Sequence, residues 1–144
     1  MAEDAPREPI FAATQFILCG EILYDGGSIA GFGRFRSVVY ARGYPRTFGP
    51  PDDELYALTS FGGLADGLET FFIEIVDEET GGYVYSTPRF DVEVRAGRLS
   101  TVAVRLAPEF QEPGFYRVDL YWSPSPASGD DIRVKSTLFR AEHF

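Results

Sequence analysis

This chain of 144 residues is short of the residues that most chemistry requires. It has one cysteine (Cys19), one histidine (His143), one lysine (Lys135) and no asparagine. A single cysteine excludes an intrachain disulfide. It lies in the run Phe16-Ile17-Leu18-Cys19 and reads as a small buried apolar residue rather than a reactive thiol, which needs an electropositive, partly exposed setting. One histidine and one cysteine do not make a zinc site of the usual nitrogen and sulfur kind. A Ser-His-Asp triad would have to recruit His143, one residue from the end, where chains fray, and no Gly-x-Ser-x-Gly elbow is present. Without asparagine there is no N-glycosylation sequon. No apolar run approaches the roughly 18 residues of a membrane-spanning helix. Met1 to Pro9 is acidic and proline-containing, unlike a secretion signal. These absences predict a cytoplasmic, non-enzymatic protein that needs no cofactor and spans no membrane.

Charge of one sign is also scarce. The formal net charge is −9, and the basic residues other than Lys135 are scattered arginines. Such a chain repels phosphate backbones, which argues against nucleic acid as a partner.

What is present points to strands. The composition, 44% hydrophobic and 24% charged, is that of a globular domain, and 13 phenylalanines and 8 tyrosines favour β-structure. Residues 1–9 read as a flexible leader and 10–144 as a single domain. Phe11 to Leu23 suits a buried strand better than a helix, because the Asp25-Gly26-Gly27 turn follows. Ser28 to Tyr40 reads as one long strand, with a bulge or close approach at Gly31 and Gly33. Gly31-Phe32-Gly33 is also half of a glycine fingerprint, but Arg36 holds the third glycine position and no helix follows. Arg42 to Glu54 reads as a loop.

Glu69 to Asp77 puts Phe71, Ile73 and Ile75 on one face, with a second face apolar enough for a central strand. Phe90, Val92 and Val94 alternate with Asp91, Glu93 and Arg95. Leu99 to Leu106 follows, with Val102, Val104 and Leu106 pointing inward. Pro113-Gly114 then starts a strand with Tyr116, Val118, Leu120 and Trp122 on one side and Arg117, Asp119 and Tyr121 on the other. Ile132 to Ala141 is the last strand. Roughly eight strands joined by short turns predict an all-β fold: a single antiparallel β-sandwich, immunoglobulin-like or jelly-roll-like.

The order Phe16-Ile17-Leu18, then Gly27 to Phe35, then Tyr44-Pro45, the acidic turn Asp77 to Gly82, and Pro113-Gly114-Phe115-Tyr116-Arg117-Val118 resembles a family of short bacterial β-sandwich proteins of unknown function. The resemblance spans most of the chain. It implies one intracellular sandwich and carries over no catalytic residue.

Three candidate sites remain. Acidic turns at Asp52, Asp53, Asp77, Glu78, Asp130 and Asp131 would bind calcium if they shared one end of the sandwich, since that cation takes about 6–8 oxygen ligands. Asp91 and Glu93 lie about 7 Å apart on one strand face, a spacing compatible with an acid–base pair, but Arg95 continues the face as an ordinary solvated surface. Outward aromatics are the third candidate. Phe115 and Tyr121 oppose the core stripe, and Tyr83 and Tyr85 share a parity, which predicts a contact surface for a protein partner, for a second copy of the chain, or for a glycan.

Overall fold

The structure, a computed structural model, describes residues 7–41, 43–48, 54–125, 127 and 129–143, with the backbone alone at His143. No helix occurs among them. The strands are β1 (Phe11–Asp25), β2 (Ser28–Phe35), β3 (Val38–Ala41), β4 (Arg46–Thr47), β5 (Leu55–Gly63), β6 (Gly67–Asp77), β7 (Tyr83–Ser86), β8 (Phe90–Val94), β9 (Leu99–Leu106), β10 (Glu109–Phe110), β11 (Gly114–Trp122) and β12 (Ile132–His143). One sheet runs β2-β1-β5-β9. A second runs β3-β12-β11-β6-β7, with β8 also on β6, and β10 pairs with β4.

Alternation decides which face of each strand is dry. Phe71, Ile73 and Ile75 on β6 and Val118 and Leu120 on β11 are fully buried. Each such side chain contributes about 2–3 kcal/mol through removal from water. The two sheets meet where Phe61 of β5 stacks on Phe71 of β6, with ring centroids 4.4 Å apart. Phe11 packs edge-on against Phe61, Phe71 and Trp122 at 5.6, 5.0 and 5.4 Å. A second aromatic group closes the other end: Phe110 lies 5.4 Å from Phe48, 4.6 Å from Tyr116 and 5.7 Å from Phe139. The abundance of phenylalanine is therefore largely a property of the core. Cys19 is fully buried, and burial pushes its thiol pKa up.

The architecture departs from the expected form in three ways. First, there are twelve strands among the described residues rather than roughly eight. β4 lies inside the segment 42–54 that reads as a loop, and it is held by the two-residue ladder Thr47↔Glu109 and Arg46↔Phe110. Pieces that short have no readable period. Second, Ser28 to Tyr40 is not one strand. Arg34 adopts φ 55°, a left-handed conformation uncommon outside glycine. Beyond it the chain leaves the first sheet at Arg36-Ser37 and enters the second as β3. Third, β3 lies parallel to β12, with Arg140↔Val38 and Ala141↔Val39, so the pairing is not wholly antiparallel. The sheets also curl, so that the β1–β2 turn comes back beside β9 at the far edge of its own sheet. The expected bulge near Gly31 is present. Leu23 pairs with Gly31 but Tyr24 pairs with Ile29, which leaves Ala30 between them.

Candidate functional surfaces

The outer face of the second sheet is built from cross-strand rows that the β6–β11–β12 register fixes. Phe72 lies opposite Tyr121, Glu74 opposite Asp119 and Val76 opposite Arg117. On the other side Asp119 faces Ser136, Arg117 faces Leu138 and Phe115 faces Arg140. Phe72 and Tyr121 stack at 5.0 Å with their rings 6° from parallel. The Arg89 guanidinium sits over Phe72 at 5.4 Å.

Asp119 is the electrostatic centre of this face. It is fully buried. Arg117 Nε donates to both carboxylate oxygens at 2.9 and 3.1 Å, and Ser136 Oγ donates to Oδ1 at 2.6 Å. Arg117 also reaches Glu78 at 3.4 Å. Glu74, directly opposite, sits above the usual glutamate range. Burial is the first cause and the Asp119 charge the second, while Arg117 opposes both. The Tyr121 phenol is raised by burial and by the same two carboxylates.

The outward aromatics predicted from sequence separate into different environments. Tyr83 is 69% exposed and Phe115 is 48% exposed, the latter with Arg140 over its ring at 5.9 Å. Tyr121 is largely covered by Phe72. Tyr83 and Tyr85 do not share a face as their parity predicts. The β6–β7 register slips between Ile75↔Tyr85 and Val76↔Tyr83, which turns Tyr85 onto the core and leaves Tyr83 outside.

The acidic residues are occupied locally. Asp77 Oδ1 accepts the amides of Glu79 and Thr80 at 2.9 and 3.1 Å, organising the turn that ends at Gly81, where φ is 73°. Glu78 meets Arg117, and its amide donates to the Phe115 carbonyl at 3.0 Å. Asp131 accepts from Ser123 Oγ at 2.7 Å and from Arg89 at 3.3 Å. Asp130 has a partner of its own. Asp52 and Asp53 lie outside the described residues. Asp77 and Tyr83 do come together, bordering a hollow of about 250 Å³ with Glu109 and Glu112. Among the described residues no three histidine, cysteine, aspartate or glutamate side chains gather to hold a metal ion. Asp91 accepts from Thr70 Oγ1 at 2.7 Å, and Glu93 pairs with Arg95.

Two buried acids are absent from the sequence-based candidates. One is Asp119, placed by parity on an outward face. The other is Glu69, fully buried, whose Oε1 lies 2.5 Å from Arg7 Nη2 and whose Oε2 accepts the Ile10 amide at 3.3 Å. Parity offered a signal for Glu69, since it shares a face with Phe71 and Ile73.

At the open edge of the first sheet, β9 borders two hollows. One, of about 410 Å³, is closed on the far side by Tyr85, Pro88 and Phe90. The other, of about 520 Å³, is closed by Tyr24, Ser28 and Ile29 of the β1–β2 turn. No helix among the described residues is long and apolar enough to cross a membrane.

No protein-family model matches the sequence, and no curated protein matches it. Solved structures do match in fold. An alkylpurine DNA glycosylase, AlkC of Pseudomonas fluorescens, bound to DNA containing an abasic site analogue, aligns over 92% of this chain and 30% of its own, with 10% identity and a TM-score of 0.56. A β-glucosidase of Erythrobacter marinus aligns over 91% and 15%, with 14% identity and a TM-score of 0.52. A β-glucosidase of Listeria innocua aligns over 89% and 16%, with 15% identity and a TM-score of 0.51. The chain thus spans less than a third of each, and at these identities the likeness is one of fold.

Proposed function

We propose that this domain is a non-catalytic β-sandwich module, immunoglobulin-like or jelly-roll-like in kind and cytoplasmic, that works by protein–protein contact, with a partner chain or with its own copies. One observation carries the reading. Large apolar side chains stand in solvent while the core beneath them is already complete: Tyr83, Phe35 and Leu138 are 69%, 64% and 57% exposed. Exposed apolar surface of this kind is characteristic of contact sites. Light scattering at millimolar concentration, combined with affinity capture, tests the reading. A strict monomer that captures no partner removes it.

A glycan-binding module is the second reading. The stacked Phe72–Tyr121 pair beside Glu74 and Asp119 favours it, because sugar sites combine aromatic faces with carboxylate acceptors. Titration with a panel of oligosaccharides in a calorimeter decides it, and a panel that produces no heat removes it. The calcium version gains no support from Asp77, Glu78 and Asp131, each already held by its own neighbours.

A further inference from the structure

The edges of the two large sheets differ in how they are protected. Unpaired strand edges are templates for another strand, and proteins usually blunt them with bulges, short length, proline or charge. β2 carries the Ala30 bulge and the left-handed Arg34. β3 has four residues, β7 has four and β8 has five, with Pro88 between the last two. β9 has eight residues, keeps an unbroken register with β5 from Leu99 to Leu106, and pairs with β5 alone among the described residues. Its central Val102-Ala103-Val104 has two β-branched residues and contains neither proline nor glycine.

The space beside that edge is shaped for a chain. The hollows of about 410 and 520 Å³ share Val102 and Ala103, so they lie end to end along the strand. The β1–β2 turn walls one half and the β7–β8 connection walls the other. These walls obstruct the approach of a whole second sheet. Its lining also runs against the charge of the molecule. On a chain of net −9, the 410 Å³ hollow is lined by Arg105, whose side chain is 52% exposed, and by Arg89, whose guanidinium is held over Phe72. Arg105 donates to the Tyr56 hydroxyl at 3.1 Å and meets Glu54 at 3.9 Å, a long ionic contact that an incoming carboxylate can replace. Asp91, the carboxylate in the same lining, is taken by Thr70.

We propose that the free edge of β9 is a docking edge, where an extended segment of a partner protein adds as a strand, placing apolar side chains against Val102 and Val104 and an acidic side chain at Arg105. Main-chain pairing supplies the affinity, and the hollows and Arg105 supply the selectivity. The inference rests on the protein-contact reading and assigns that contact a place.

A library of random twelve-residue peptides displayed on phage, selected against the whole chain, provides the test. Enriched peptides are expected to alternate β-branched residues and to carry an acidic residue toward one end. Their binding is expected to slow amide exchange along Leu99 to Leu106. Arg105→Glu, at an exposed position, should weaken them about tenfold. Ala103→Glu should do the same, provided its melting curve matches that of the parent. Peptides that protect a different edge, or that bind Arg105→Glu unchanged, overturn the β9 assignment and leave the protein-contact reading standing. A selection that enriches nothing also overturns the assignment, and the protein-contact reading then stands or falls on light scattering and affinity capture.

Discussion

The two faces of β11 bury their residues by opposite means. On one face Tyr116, Val118, Leu120 and Trp122 are removed from water by apolar neighbours. On the other, Asp119 is as inaccessible as Val118, but its neighbours are Arg117, Ser136 and the Glu74 carboxylate. The dry face draws its stability from area and from close packing. The polar face is held by charge-assisted hydrogen bonds whose net value is modest while complete and whose partial loss is costly. The comparison separates what holds the fold from what is available for recognition. The dry face has almost no accessible surface to offer, whereas the polar face keeps Phe115, Leu138 and the arginines within reach of solvent.

The largest expected effect comes from breaking the dry side. Phe71→Ala removes a ring that stacks on Phe61 and meets Phe11 and Phe90. The loss should be about 3–5 kcal/mol, seen as a shift of the urea unfolding midpoint. Next comes Asp119→Ala, which leaves the Ser136 hydroxyl without its acceptor and the Arg117 guanidinium with only the longer contact to Glu78. It should cost about 1–3 kcal/mol, and the double variant with Arg117→Leu should recover part of that loss. A double variant no more stable than Asp119→Ala would show that the polar face is not held by this pair.

Legibility in the sequence follows the range of the interaction. The dry side of β11 is written in adjacent residues, since Tyr116 to Trp122 alternate without interruption, and the same holds for Phe71, Ile73 and Ile75. Cys19 is legible as a buried apolar residue for the same reason. The exit of the chain at Arg36-Ser37 is not, because the left-handed turn at Arg34 has no glycine to mark it. The separation of Tyr83 from Tyr85 depends on one slipped register with β6, a property of the pairing partner and not of either tyrosine. Asp119 is the instructive failure. Parity placed it on the correct face, but its burial depends on Arg117, Ser136 and Glu74, two of which belong to other strands. The β9 edge is partly legible. Val102-Ala103-Val104 declares a strand, while its pairing with β5 alone among the described residues is a fact of topology.

Glu74 sharpens the comparison in the other direction, because the polar face contains a group that works against folding. Burial and the Asp119 charge both raise its pKa, so the folded state holds its proton more tightly than the unfolded chain does. Its contribution is therefore most favourable below the ordinary glutamate range and is lost as pH rises through the raised folded value. At neutral pH the ionised carboxylate opposes the fold. Glu74→Gln should then stabilise the protein at pH 7, by less than about 1 kcal/mol because water still reaches the group. The gain should shrink toward zero as pH falls below the ordinary glutamate value. Paired thermal melts from acid to neutral pH check this. A gain that is constant with pH would mean that neither burial nor the Asp119 charge raises the Glu74 pKa.

The smallest effect on stability belongs to Phe115, and it tests the functional side of the comparison. Its ring is 48% exposed, with the Arg140 guanidinium over it at 5.9 Å. An exposed pairing of this kind is worth about 0.5–1 kcal/mol, so Phe115→Ser should barely move the melting temperature. If the outer face of the second sheet joins in protein contact, the same change should lower self-association or partner capture while the fold is untouched. If association is instead confined to β9, Phe115→Ser should leave it intact and Arg105→Glu should reduce it. The two substitutions thus address the two surfaces separately, and a variant that weakens association without a matching loss of stability identifies the surface in contact.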